Sequence, residues 1–472
     1  MKRSKLSRRA FLGMGFATVS SAMLAACAPQ AVPTPAGGQQ QPAPTTPPEQ
    51  PAPTVAPPAA EQVTIRWMTR AVDWGGQQAG LEVPKLVEKY FTPEHPNIKV
   101  VIEPAPQQWE EKLLTAMIAG DAPDVFEAWP DIFNSWVERD LILDLQPFVD
   151  KDVSAEELKD YIPAQMDRMI MRGIRVGMPL YVDLRLESYN KDLFDKNGVA
   201  YPPRDGNWTV DDYVATAQKL TVDTSGDGEV DQWGALIEPG GWFYWVRMWG
   251  GEIVSKDDPT KCGLGSDESQ AALNFIWENQ WKKKPNVFAQ PAQVQNSWYY
   301  EAFVGELVAM AEKGCYPGRT VGEVGGKFKW NYAHPPKGPK GHHTLVDADA
   351  WSIWKGTKQP DAAWQLAKFN SSPQFQEDVI AKVAGAIPSR LSVVTKYFDI
   401  VRNNFEELKD VDLEIIQEIL TEPGYGANLN FFKSHNAAME IINPAMELVF
   451  DTGEKDPSYF LEICPKVDAT QV

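Results

Sequence analysis

The chain has 472 residues, 23% of them charged, and a formal net charge of −19. So acidic a composition excludes the broad basic surface that nucleic acids and anionic lipids require, and it suits a secreted protein with a small, neutral ligand. The roughly four hundred residues from Val63 onward exceed one ordinary hydrophobic core and imply two domains.

Taken in chain order, the first segment is a leader. Ser7-Arg8-Arg9-Ala10-Phe11-Leu12 sets a twin arginine ahead of an uncharged run and resembles a twin-arginine export signal. The run closes on Leu24-Ala25-Ala26-Cys27, which resembles the bacterial lipobox, so residues 1–27 are read as a signal peptide and Cys27 as the lipid-bearing first residue of the mature chain. Gly13, Gly15, Ser20 and Ser21 dilute a stretch already short of the about 20 apolar residues that a spanning helix needs. Residues 28–61 are almost entirely Pro, Ala, Gln and Thr and read as a disordered, extended linker between a membrane anchor and a folded body. Lipid chains on Cys27 would hold the protein at the outer face of the cell membrane.

The body opens on a strand, Val63-Thr64-Ile65-Arg66-Trp67-Met68. Leu81–Phe91 has helical spacing, Ile98–Ile102 reads as a second strand, Trp109–Ala119 as an amphipathic helix ended by Gly120, and Val125-Phe126 as a third short strand. This alternation predicts an α/β domain with a mainly parallel sheet. Further on, Gly177–Tyr181 is extended, and Thr209 caps a helix that runs to about Leu220, with Asp211 and Asp212 at its positive end. An apolar pattern covers Trp242–Trp249. Helices are predicted over Ser266–Trp281, Tyr299–Ala309 and Pro360–Phe369, and the tail from Val401 is mostly helical.

Several chemistries find no support. There is no Gly-x-Ser-x-Gly elbow, no phosphate loop and no His-Glu-x-x-His, and His342 and His343 are adjacent rather than at ligand spacing. No catalytic cofactor is expected. Residues Asp223, Ser225, Asp227, Glu229 and Asp231 place oxygen donors as in the start of a calcium loop, yet position twelve is Gly234, so a structural calcium site and a polar turn are both open readings. Beyond Cys27, the cysteines Cys262, Cys315 and Cys464 allow one disulfide and a free thiol, or three thiols, and the sequence does not choose. Of the seventeen tryptophans none precedes Trp67, and an aromatic ligand cleft is one reading of that load beside core packing.

A set of short motifs occurs in order along the body. Gly120-Asp121-Ala122-Pro123-Asp124-Val125, Ser188-Tyr189-Asn190-Lys191-Asp192-Leu193-Phe194, Phe303-Val304-Gly305-Glu306-Leu307-Val308-Ala309-Met310, Asp361-Ala362-Ala363-Trp364, Ser371-Ser372-Pro373-Gln374-Phe375 and Gly385-Ala386-Ile387-Pro388-Ser389-Arg390 resemble stretches of the extracellular solute-binding proteins of the first, sugar-binding kind, which serve ATP-binding-cassette (ABC) importers. Glu306 and Leu307 depart from the family's usual Lys and Ala. The resemblance implies a type II, periplasmic-binding-protein-like α/β fold: two lobes joined by crossing hinge segments, with the ligand cleft between them. It places residues 62–183 and 344–386 in lobe 1, and 184–343 and 387–472 in lobe 2. The crossings fall near Asp183–Tyr189, Thr344–Asp349 and Ala386–Ile387.

In such sheets ligands sit beyond the carboxyl ends of strands. That rule selects Asp73 and Trp74 after the first strand, Glu127 and Trp129 after the third, and Tyr181 and Asp183 at the first crossing. It also selects Asp347, Asp349 and Trp351 at the return, Trp242, Tyr244 and Trp245 after Gly240-Gly241, and Arg390 at the rim. Carboxylates accept paired sugar hydroxyls while indole or phenol rings stack on sugar C–H faces. The expectation is a monomeric binding protein, not an enzyme, that captures a mono- or oligosaccharide and delivers it to permease subunits of an ABC importer. A secreted glycoside hydrolase, or a binder of a polyamine or glycerol phosphate, are the alternatives. The hydrolase would show turnover; a phosphate would want a basic pocket and a polyamine an acidic one.

Overall fold

The computed structural model describes residues 62–237, 241–294, 299–421 and 431–471. The leader, Cys27 and the linker lie outside the described residues.

Ten strands are described: β1 (Val63–Thr69), β2 (Ile98–Pro104), β3 (Val125–Ala128), β4 (Ile170–Met171), β5 (Ile174–Arg175), β6 (Met178–Asn190), β7 (Trp233–Leu236), β8 (Val308–Gly314), β9 (Trp330–Ala333) and β10 (Val346–Ile353). They form a sheet in the order β2-β1-β3-β10-β6-β8-β7, with β9 also on β6, and a separate β4–β5 hairpin. The β-branched, aromatic composition of β1 fits a strand, which buries Ile65 and Trp67–Thr69, and β1 pairs in parallel with β2 and β3.

β6 is the axis of the molecule. Its first half pairs antiparallel with β10, from Met178 opposite Trp351 to Leu184 opposite Val346. Its second half pairs with β8 and β9, from Arg185 opposite Gly314 to Asn190 opposite Trp330. One strand thus belongs to two sheets. Two hydrophobic clusters flank the first, around Trp67, Trp351 and Phe375 and around Trp109, Phe126 and Trp136. Two flank the second, around Tyr213, Trp245 and Phe288 and around Phe303, Trp330 and Tyr397. The fold is the two-lobed α/β class expected. At the junction Val182 N–H donates to Ile387 O (2.9 Å), Arg185 N–H to Leu345 O (3.1 Å) and Thr344 Oγ1 to Arg185 O (2.7 Å).

Local sequence explains most element ends. The helix Trp109–Ala119 stops at Gly120, whose φ of 81° is the left-handed cap that glycine accepts without strain. Thr209 closes a capping box with Asp212 on the helix Val210–Leu220. One expectation is corrected. The helix predicted over Tyr299–Ala309 ends at Val304, and β8 begins at Val308. Glu306, at φ 60°, turns the chain between them, and Val308–Met310 then enter the sheet because both faces there are buried. A second correction concerns the first helix, which starts at Ala71, ten residues ahead of the expected Leu81, with Gly76 breaking its regularity.

A disulfide joins Cys262 to Cys464 and leaves Cys315 as a buried thiol, so the structure chooses the pairing that the sequence left open. In the Asp223–Asp231 loop the carboxylates turn inward. Asp223 accepts from the N–H groups of Gly226 (2.6 Å) and Gly228 (2.7 Å), and Asp231 from those of Thr224 (2.8 Å) and Ser225 (3.0 Å). Asp227 caps Glu229 N–H (2.9 Å). These bonds hold the loop as a polar turn, and among the described residues no three metal-ligating side chains converge. Ser225 and Glu229 are exposed parts of the same polar turn.

Candidate functional site

The carboxyl ends of β1 and β3, the start of β10 and the middle of β6 meet at one edge of the first sheet. Tyr181 lies directly opposite Asp349, and Asp183 opposite Asp347, so all four side chains share a face. Arg70, the residue after β1, reaches into this group. Its Nη1 pairs with Asp349 Oδ2 at 3.0 Å, its Nε lies 3.5 Å from Asp73 Oδ2, and its guanidinium stands over the rings of Trp109 (4.9 Å) and Trp129 (4.7 Å). The buried Glu127 carboxylate accepts from Thr69 Oγ1 (3.0 Å) and from the N–H of Arg70. Tyr181 OH donates to Asp349 Oδ2 (2.9 Å), and Tyr316 OH to Asp183 Oδ1 (2.8 Å). The two phenol rings meet edge to face at 5.8 Å. Beside them, Arg168 pairs with Asp347 (3.2 Å) and lies under Phe431 (4.9 Å).

The electrostatics follow from burial. Loss of water pulls the Arg70 guanidinium down, but Asp349, Tyr181, Glu127 and Asp73 outweigh that and hold its pKa above the ordinary value. Burial pushes Asp349 up, against the pull of Arg70. It also drives both tyrosines well above their usual range, Tyr181 further by Asp349 and Tyr316 by Asp183. The phenols are therefore fixed hydrogen-bond donors at neutral pH. The cluster presents carboxylates, phenols and indoles held in place by ion pairs, a surface able to hydrogen-bond hydroxyls and stack on C–H faces.

The structure thus brings together Asp73, Glu127, Trp129, Tyr181, Asp183, Asp347 and Asp349. Trp74 lies on the helix Ala71–Leu86, and its side chain is not among those described. The other expected residues go elsewhere. Trp351 is fully buried, edge-on to Trp67 (5.4 Å) and Phe375 (5.7 Å); it lies further along β10 than Asp349, where it packs with Ile353 in the core of the first lobe. Arg390 is fully buried. It stacks on Tyr161 (3.6 Å) and binds Glu157 (2.9 Å) and Ser371 O (2.8 Å), a clamp between segments rather than a rim. The helix Trp242–Met248 is a core helix of the second lobe. Trp245 donates its indole N–H to Glu312 (2.7 Å), Tyr244 packs on Phe243 (5.0 Å), and Trp242 is 9% exposed.

Reasoning from sequence missed Arg70, Trp109, Arg168 and Tyr316. Arg70 carried a usable signal, since it is the first residue past β1, where the strand-end rule applies. Tyr316 and Arg168 carried none, because only the crossing of β6 sets them beside Asp183 and Asp347.

A two-lobed α/β body with polar and aromatic groups at the strand ends between its sheets defines the solute-binding class of protein. The family model for bacterial extracellular solute-binding proteins matches residues 74–377. The chain belongs to that family. A binding protein of Brucella abortus is 24% identical over 303 residues, spanning 63% of this chain and 69% of the relative. Among solved structures, an ABC substrate-binding protein of Listeria monocytogenes in complex with cycloalternan superposes with a TM-score of 0.68 at 22% identity, over 87% of this chain and 99% of that one. A solute-binding protein of Thermotoga lettingae bound with α-D-tagatose gives 0.68 at 21%, over 88% and 100%. The maltose/maltodextrin-binding domain of a Bdellovibrio bacteriovorus protein, bound to maltotriose, gives 0.65 at 19%, over 87% and 99%.

Proposed function

We propose that this chain is the substrate-binding component of an ABC importer, anchored outside the membrane through lipid on Cys27, and that its solute is a mono- or oligosaccharide. The observation that carries the reading is the cluster at the strand ends. Asp73, Asp183 and Asp349 offer acceptors, Tyr181 and Tyr316 are phenols, and Trp109 and Trp129 are indoles, all on elements that meet at the crossing of the lobes. The three solved structures named above hold carbohydrates, which agrees with this chemistry. Ligand bound better by the closed arrangement shifts the open–closed equilibrium toward it, with β6 and the segments at Leu345 and Ile387 acting as the hinge. The closed form then offers both lobes to the permease. No turnover is part of this reading.

The test is titration of the protein with a panel of sugars, polyamines and sugar phosphates, followed by tryptophan fluorescence and melting temperature. A ligand at a hundredfold excess over its Kd raises stability by about 2.7 kcal/mol. A saturable shift with sugars, and the sugar recovered intact, supports the reading. A shift that decays as the sugar is consumed would establish the hydrolase instead, and a shift with polyamines alone would replace the solute class.

A further inference from the structure

The strand-end cluster is acidic, but the gap between the lobes does not stay acidic along its length. A groove of about 490 Å³ lies between Asn134, Arg168 and the β4–β5 hairpin on the first lobe, and Val254–Lys256 and Phe431–Lys433 on the second. That volume is within the range of small-molecule sites, about 300–1,000 Å³. Among the described residues four cations line it, Arg168, Arg172, Lys256 and Lys433, and no carboxylate does. In a chain of net charge −19 this is a local reversal of sign.

The cations are partly neutralised from behind. Arg168 pairs with Asp347, Arg172 with Glu138 (3.8 Å) and Lys256 with Glu252 (2.9 Å). Glu252 is shared, because Arg247 also binds it at 3.0 Å. Arg247, on the second lobe, lines an adjoining pocket together with Lys256 and Lys340. Burial lowers the pKa of Arg247 and the charge of Arg168 lowers it further, while Glu252 holds it up. Cations carried by the two lobes therefore line one groove, where an anion would be held from both sides.

Two further features point the same way. Asn134 is 1% exposed; its Oδ1 accepts from Arg172 Nε (3.0 Å), and its Nδ2 finds no acceptor among the described residues. A buried amide donor without a partner, on a residue that lines the groove, calls for an acceptor. Arg172 has φ 49°, a left-handed conformation that a non-glycine residue rarely holds, and it sets the guanidinium at the tip of the hairpin against Asn134 and Phe432 O (3.3 Å).

We propose that the solute is an anionic carbohydrate whose carboxylate or sulfate ester is held in this groove by Arg172, Lys256, Lys433 and the Asn134 amide. This rests on the sugar-binding reading above and narrows it. The anion bridges cations of opposite lobes, so binding and closure are coupled through charge, and the hydroxyls and ring faces fall to the acidic, aromatic strand-end cluster.

The experiment is calorimetric titration of the full chain with oligo-galacturonate, oligo-guluronate and oligo-glucuronate, each beside its own methyl ester, together with a sulfated trisaccharide and neutral maltotriose. Acid and ester share every ring and differ only in charge. The expected result is at least one acid or sulfated sugar bound tenfold or more tighter than its neutral counterpart, with the margin shrinking at 0.5 M salt. A carboxylate preference and a sulfate preference separate the two sources of charge. The margin should fall severalfold in Lys256→Ala/Lys433→Ala, whose side chains are exposed and leave the core intact, and in Arg172→Gln. Neutral sugars bound with no such margin would overturn the proposal and leave the sugar reading standing. A margin unchanged in both variants would place the anion elsewhere and also overturn it. Binding of no carbohydrate would sink both.

Discussion

The two lobes bury charge differently. In the first, buried charges are matched: Arg70 with Asp349 and Arg168 with Asp347. In the second, Glu187 and Glu312 are direct partners across β6 and β8, each about 1% exposed, with Tyr213 OH donating to one (3.2 Å) and Trp245 Nε1 to the other (2.7 Å). Nearby Lys313 is wholly buried. It donates to Thr320 Oγ1 (2.9 Å), and burial pulls it down to about 7. The first lobe thus keeps its ions charged and oriented, as a recognition surface requires. The second pairs Arg247 with Glu252 but also sets two carboxylates side by side, where burial and then Glu312 raise the pKa of Glu187, and it adds a covalent clamp at Cys262–Cys464.

That contrast can be broken from either side. The largest effect should come from the clamp. It closes a loop of 202 residues, and chain-entropy arguments give such a loop about 5 kcal/mol, so reduction should lower the denaturant midpoint strongly. An unchanged midpoint under reductant would show that α-helical packing of the second lobe suffices alone. Next, Asp349→Ala strands Arg70 in a buried site and should cost about 3–5 kcal/mol, read by chemical unfolding, together with loss of solute binding. If Asp349→Ala unfolds like the parent chain, the pair is not desolvated as described.

Glu187 offers a pH test. Burial, and then Glu312, raise its folded pKa well above the ordinary value, so the folded state holds the proton more tightly than the unfolded chain. Its contribution is full below the unfolded pKa of about 4.3 and is lost as pH rises toward the folded value. Glu187→Gln should therefore stabilise the protein by about 1–3 kcal/mol at pH 7 and flatten the decline of melting temperature from pH 5 upward. A steeper decline in the variant would refute the raised pKa of Glu187. Smallest of all, Thr209→Ala removes one cap in the second lobe and should cost about 1 kcal/mol by thermal melting, with no change in affinity.

The sequence alone determined the local grammar of this protein. Alternation of apolar residues made β1, β2 and β3, Gly120 and Thr209 marked helix ends, and the strand-end rule reached Asp73, Glu127, Trp129, Tyr181, Asp183, Asp347 and Asp349, because those signals depend only on neighbours along the chain. Trp351, Trp245 and Arg390 show where that reading stops. An indole that packs in a core and one that faces a cleft have the same local sequence, and an arginine beside a proline turn does not announce the glutamate 233 positions away that receives it. The disulfide partner of Cys262, the place of Tyr316 beside Asp183, and the convergence of Arg168, Arg172, Lys256 and Lys433 on one groove were decided by tertiary structure. Each depends on where β6 crosses between the sheets and how the later segments return, and side-chain environment is set by those long-range meetings rather than by periodicity.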